Sequence, residues 1–180
     1  MPRGLDSTFF EMSVLLMNVL FICTHNASRS ILAEAMMNHL DALGNSHRFV
    51  AYSAGSAPTD DGKPHALVLE VLEHSGVSIK GLRSKHWSEF SQPDAPHMDL
   101  IITVCDVAAV ETCPVWPGHP STVHWTFADP SAGDMTASQR HMAYRHTLHE
   151  MGRRLELLLN LPEEKLQRSL LKDSALEVVR

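Results

Sequence analysis

The chain reads as an α/β domain built on a four-stranded parallel sheet in the flavodoxin-like order, with helices on its faces. Two observations predict it. Short, predominantly apolar runs such as Val19–Ile22 and Leu100–Val104 have the look of strands buried on both faces. Between such runs lie stretches with apolar residues at three- and four-residue steps, the period of an amphipathic helix. Strands alternating with helices imply a parallel sheet. A length of 180 residues suits one such domain.

The elements follow in order. Val19–Ile22 is the first strand. Ile31 to Leu43 is the first helix: Leu32, Met36, Leu40 and Leu43 form its apolar stripe, and Gly44 is expected as a left-handed stop. Phe49–Tyr52 is the second strand, running into Ser53-Ala54-Gly55. Pro64 sits at an expected first helical position, and Leu67, Val68, Val71 and Leu72 face the core before Gly76 ends that helix. Residues 77 to 98 are irregular, with Trp87 and Phe90 as packing anchors. Leu100–Val104 is the third strand and ends at Cys105. Val123–Phe127 is expected as the fourth, ending at Asp129-Pro130. Thr136 and Gln139 make a capping box. The helix they open carries Tyr144, Leu148, Met151, Leu155 and Leu158 inward, and Pro162 is expected to stop it. The domain is thus expected over 17–162. Residues 1–16 read as a flexible extension, and 163–180 as a charged tail of helical propensity. Glu11 breaks the early apolar stretch and no small-x-small site follows it, so no signal peptide is expected.

Apolar residues are 44% and charged residues 20%, which excludes wholesale disorder. A net charge of −6 argues against a nucleic-acid binder, and the apolar runs are too short to span a membrane. Three cysteines, Cys23, Cys105 and Cys113, are an odd count that does not suit a secreted disulfide scaffold. A cytoplasmic location is expected. The twelve histidines are scattered and form no tract.

Parallel α/β sheets bind ligands beyond the carboxyl ends of their strands, where strand order reverses. Cys23 follows strand one, Cys105 strand three and Asp129 strand four, so all three fall on that rim. Cys23, Thr24, His25, Asn26, Ala27, Ser28, Arg29 and Ser30 join strand one to helix one as a C-x5-R loop. A loop of that size entering a helix turns its backbone N–H groups inward, a nest for a tetrahedral oxyanion. Arg29 adds a planar fork. Ser30 can donate to the Cys23 sulfur, and Asn26 tolerates the left-handed conformation a tight loop needs. The helix terminus and Arg29 both favour a Cys23 thiolate, so its pKa is expected below the free value of about 8.5. Asp129, near an anion site, is expected to have a raised pKa.

The run VLFICTHNASRSILAEA resembles the opening of the low-molecular-weight protein tyrosine phosphatase family. Ser53-Ala54-Gly55 and Asp129-Pro130 match that family's layout, and the likeness covers about residues 18 to 160. It implies that Cys23 is a nucleophile and that Asp129 protonates the leaving oxygen. The run TVCDVAAVETCPVWPG is similar to arsenate reductases built on the same fold. That resemblance implies a relay in which Cys23 forms an arsenic adduct, Cys105 attacks Cys23, and Cys113 carries the disulfide outward. No bound cofactor is implied. The external reductant is thioredoxin, or glutaredoxin with glutathione. Phosphate or sulfate should also occupy the loop. Two departures stand out. Ala27-Ser28 precede Arg29 where relatives commonly show Ser followed by Ala or Cys, and Val107 and Val110 stand where relatives often carry Asn and Gly.

The alternative is a phosphatase acting on phosphate monoesters. Such enzymes wall the cleft with aromatics just past the Asp-Pro, and here Ser131-Ala132-Gly133 follow. A non-enzymatic oxyanion-binding module is disfavoured by the intact nucleophile, arginine and acid. A zinc site from Cys105, Cys113, His119 and His124 has gaps that fit no usual knuckle. No metal site is expected, and His146 and His149 read as a solvated helix face.

Overall fold

A computed structural model describes residues 16–105, 116–118 and 120–166. Four strands, β1 (Met17–Cys23), β2 (Phe49–Gly55), β3 (Leu100–Thr103) and β4 (Ser121–His124), form one parallel sheet in the order β2-β1-β3-β4. This is the expected order. β1 lies at the centre because its apolar run can be buried on both faces: Val19 to Ile22 are wholly inaccessible. Its register with β2 sets Cys23 opposite Gly55, and its register with β3 sets Ile22 opposite Thr103.

Three helices pack on this frame: α1 (Arg29–Leu43), α2 (Ala66–His74) and α3 (Ala137–Leu159). α1 lies on β1 and β2, and α3 lies against α1 and α2. A short 3-10 helix, Trp87–Ser91, packs on β2, where the Phe90 ring meets Tyr52 edge-on at 5.6 Å. α3 buries Tyr144, Leu148, Met151, Leu155 and Leu158, the stripe its period predicts. Its capping box is formed in full: the Gln139 N–H donates to Thr136 Oγ1 and the Thr136 N–H to Gln139 Oε1.

Several boundaries differ from the sequence expectation. α1 begins at Arg29, two residues early, because the loop runs straight into its first turn: the Leu32 N–H donates to the Ser28 carbonyl at 2.9 Å. Gly44 is right-handed (φ −73°), and the left-handed backbone falls on Asn45 (φ 51°). The chain reverses one residue later than expected, at a residue type that tolerates it. α2 starts after Pro64: His65 is its N-cap, held extended by donating its N–H to the Ala27 carbonyl at 2.8 Å, a contact no local pattern encodes.

β4 ends at His124, not Phe127, because its partner β3 is only four residues long and the ladder stops at Thr103–His124. Trp125 and Phe127 are core residues instead, 2% and 5% exposed. α3 ends at Leu159 with Asn160 as its cap, so Pro162 opens the next turn rather than stopping the helix. Residues 163–166 are helical and Leu166 packs into the core. The expected extension lies almost wholly outside the described residues, as does the tail beyond 166.

Candidate oxyanion and thiol site

The site grows from the end of β1. Cys23 closes that strand, and residues 24–28 curl back before α1 begins at Arg29. The loop is tight, and one residue pays the conformational cost: Asn26 has φ 45°. Asn26 is wholly buried and makes three hydrogen bonds. Its Nδ2 donates to Ser30 Oγ and to Ser53 Oγ, each at 2.8 Å, and its Oδ1 accepts from the Lys85 N–H at 2.8 Å. Ser30 Oγ in turn lies 2.9 Å from Cys23 Sγ. A continuous hydrogen-bonded chain therefore runs from β2 through Asn26 and Ser30 to the sulfur.

The outside of the loop is braced as closely. A Cβ on Gly55 would sit 2.4 Å from the Thr24 carbonyl oxygen, 2.8 Å from that of Cys23 and 2.9 Å from the Asn26 nitrogen. Only glycine allows β2 to approach the loop so nearly. Ser84 Oγ donates to the His25 carbonyl at 3.0 Å, the Ala57 N–H donates to the Thr24 carbonyl at 2.8 Å, and the Gly55 N–H donates to the Lys85 carbonyl at 3.0 Å. Behind Ser53 lies a buried ion pair, Lys85 Nζ to Glu34 Oε2 at 3.5 Å, and the Ser53 hydroxyl donates to the same Glu34 oxygen. Burial pushes the Glu34 carboxyl up and the Lys85 ammonium down, and each partner's charge opposes the other's shift.

Above the loop is a cavity of about 310 Å³ whose walls include Cys23, Ser28, Arg29, His65 and Asp129. Arg29 spans it: Nη2 donates to Asp129 Oδ2 at 2.9 Å and Nη1 to the Phe127 carbonyl at 3.2 Å. Tyr144 Oη lies 3.2 Å from Ser28 Oγ, and its ring stacks on His65 at 5.3 Å. Just past the end of β3, buried Cys105 places Sγ 3.6 Å from Thr24 Oγ1, one residue along the chain from Cys23. The two sulfurs are not bridged to each other.

A model of the low molecular weight phosphotyrosine protein phosphatase family matches residues 18–172. The chain belongs to that family. It is similar to the arsenate reductase of Bacillus licheniformis, with 31% identity over 140 residues that span 77% of this chain and 91% of the relative. Among solved structures it resembles a low molecular weight protein tyrosine phosphatase from T. tengcongensis (TM-score 0.63, 25% identity, 79% of this chain and 97% of that one). It also resembles a thioredoxin-dependent arsenate reductase of Corynebacterium glutamicum (TM-score 0.52, 26% identity, 81% of this chain and 65% of that one). The family thus includes both phosphatases and arsenate reductases among this chain's relatives, and both carry enzyme names.

The loop residues Cys23 to Ser30 come together with Asp129 and Cys105 on one rim. Cys113, Val107, Val110 and His119 lie outside the described residues. Two expectations about charge are corrected. Burial pushes the Cys23 thiol up. Hydrogen bonds from the Ser30 hydroxyl and the Ser30 and Asn26 N–H groups pull it back, the Cys105 sulfur pushes it up, and the net direction is upward. The loop's positive field is legible in the sequence, and the dehydration of a sulfur at the end of a central strand is not. Asp129 is held below the usual carboxylate range, not above it. Partial burial raises it, but the Ser131 hydroxyl and N–H and the Arg29 and His25 charges together outweigh the burial.

Sequence reasoning missed Glu34, Lys85 and His65 as parts of the site. Glu34 left one faint sign, a carboxylate one turn beyond Ser30 on the inward side of α1. Lys85 sits in the irregular stretch and left none. Tyr144 was legible only as core. Among the walls of the cavity, the rings are the imidazoles of His25 and His65, and Ser131 stands where a phosphatase aromatic was sought.

Proposed function

We propose that the chain reduces arsenate to arsenite through a thiol relay begun by Cys23. The observation that carries this reading is the juxtaposition at the strand ends. A second cysteine, Cys105, is seated beside the oxyanion loop, within 3.6 Å of Thr24. Ester hydrolysis has no use for it. The arsenate reductase relatives support the same reading.

Arsenate docks in the loop, its oxygens facing the N–H nest and the Arg29 fork. Arg29 exchanges Asp129 for the substrate, and Asp129, released from the pair, can take up a proton. The Cys23 thiol, held protonated by burial, gives its proton to the arriving dianion, and Sγ bonds to arsenic. One As–O bond breaks. That oxygen, with the dianion's own hydrogen and the thiol proton, leaves as water, and Asp129 is placed to relay the thiol proton to it.

Cys105 thiolate then attacks Cys23 Sγ. The S–As bonding pair passes to arsenic, which falls from the +5 to the +3 state and departs as arsenite, while the two sulfurs are oxidised to a disulfide. Cys113 attacks Cys105, frees Cys23 and carries the disulfide to an external dithiol or glutathione. Dependence on such a reductant suits a reducing cytoplasm.

Hydrolysis of phosphate monoesters is the second reading. Cys23, Arg29 and Asp129 facing one cavity favour it, and it needs no other thiol. The test is arsenite release with thioredoxin, thioredoxin reductase and NADPH, run beside glutaredoxin with glutathione. Cys105→Ser should stop at the adduct yet retain ester cleavage. Cys113→Ser should complete about one turnover and trap a Cys23–Cys105 disulfide, seen by mass spectrometry of a non-reduced digest. Wild-type cycling by Cys105→Ser would reject the relay.

A further inference from the structure

No step of the relay passes through a histidine, and three side chains outside the walls of the oxyanion cavity form a cluster of their own. Glu70 and His74 stand one helical turn apart on α2, and His141 faces them from the first half of α3. One ligand atom from each lies within 4.8 Å of the other two. His141 Nε2 is 3.6 Å from Glu70 Oε1, and the two imidazole rings meet edge-on with centroids 6.3 Å apart. Among the described residues this is the one group of three or more such side chains so arranged.

We infer that Glu70, His74 and His141 form a surface site for a borderline divalent transition ion such as Zn²⁺, clamping α2 to α3. Three features beyond proximity support it. His74 Nδ1 lies 2.8 Å from the Glu70 carbonyl oxygen. A carbonyl only accepts, so Nδ1 is the donor, which leaves Nε2 as the nitrogen that would ligate. Ligating histidines are oriented in this way, by a hydrogen bond from the other ring nitrogen. His74 is also the last residue of α2, where the helix dipole favours positive charge. The donor set, two imidazoles and one carboxylate, is that of a three-ligand zinc site, and imidazole selects zinc, nickel or copper over calcium and magnesium.

Zinc–nitrogen and zinc–oxygen bonds of about 2.0–2.2 Å put tetrahedral ligand atoms roughly 3.4 Å apart. The Glu70–His141 spacing already approaches that. The remaining closure calls for rotation of the exposed Glu70 and His74 side chains toward half-buried His141. A fourth position would face solvent. The clamp also has a structural address. Tyr144, one turn along α3 from His141, stacks on His65, the N-cap of α2, and the His65 ring borders the oxyanion cavity. The ion would therefore hold together the two helices that carry this pair.

The experiment uses the full reduced chain, Zn²⁺ alone, equilibrium dialysis and thermal unfolding. Because thiolates also take zinc, the quantity read is the difference between wild type and variants. Wild type should hold one equivalent more than His74→Ala, His141→Ala or Glu70→Gln, and His146→Ala should match wild type. Zinc at about 100 times its dissociation constant should raise the wild-type Tm by roughly 5–10 °C more than that of His141→Ala. With Co²⁺, the wild-type minus His141→Ala spectrum should show ligand-field bands and no sulfur charge transfer. Equal zinc content in wild type and all three variants would overturn the site. So would an equal loss in His146→Ala, or a sulfur band in the difference spectrum. None of these readouts depends on catalysis.

Discussion

The two walls of the oxyanion cavity are held by different physics. The loop wall, from Cys23 to Ser30, is fixed by the fold. Asn26 is wholly buried with three hydrogen bonds, Gly55 presses against the loop backbone, and Ser84 and Ala57 hold its carbonyls. The acid wall is held by charge. Asp129 is more than a third exposed, and its contacts outside its own turn run to Arg29. In the proposed mechanism a substrate anion leaves the first wall unchanged and competes directly for Arg29 with the second. On that reading the nest is preorganised for the oxyanion, and the acid is released by it.

Gly55→Ala should break the difference most severely. The new Cβ would meet backbone on three sides, closest at 2.4 Å, so the loop must move. A loss of about 3 kcal/mol or more and of phosphate binding is expected, measured by denaturant unfolding and by phosphate protection of Cys23 from alkylation. Wild-type stability would mean that the approach of β2 to the loop is not tight.

Asn26→Ala ranks next. It strands the Lys85 N–H, takes one donor from each of two buried serine hydroxyls and puts alanine at φ 45°. A cost of about 3 kcal/mol, or roughly 10 °C in Tm, should accompany weakened oxyanion binding. Gly at the same position should recover part of the stability, because it relieves the backbone term alone.

Asp129→Asn should do the opposite. Its own carboxylate is more than a third exposed and Arg29 keeps the Phe127 carbonyl, so stability should change by less than about 1 kcal/mol. Turnover of a phosphate ester with a poor leaving group should fall by about 10²-fold or more, and phosphate affinity should hold or improve because Arg29 is released. A large fall in Tm would show that the acid wall is structural after all.

The smallest effect concerns pH. Cys23 has a folded pKa above its unfolded value of about 8.5. The folded state therefore keeps its proton longer. That contribution is fully present below about pH 8.5 and is lost as pH rises through the folded value. Between pH 7 and 10, wild type should lose more stability than Cys23→Ala. Equal slopes, with alkylation of Cys23 already fast at pH 7, would show that the loop's field prevails over burial.

The sequence by itself determined the parallel sheet, its order and the rim on which Cys23, Cys105 and Asp129 meet. Those follow from local signals: apolar runs for buried strands, a 3.6-residue period for helices, and a C-x5-R loop between the two. Asn26 in a left-handed turn and Ser30 beside the sulfur were legible for the same reason, since both act within a few residues of where they stand. Only the tertiary structure decided what crosses long stretches of chain. Lys85 reaches Asn26 and Glu34 from 59 and 51 residues away, and Arg29 finds Asp129 across 100. It also set the direction of both pKa shifts, because a charge in a sequence has neighbours but no depth. Dehydration at the end of β1 lifts Cys23, and the Ser131 and Arg29 partners lower Asp129, and both depend on how far each group lies from water and what the fold has set against it.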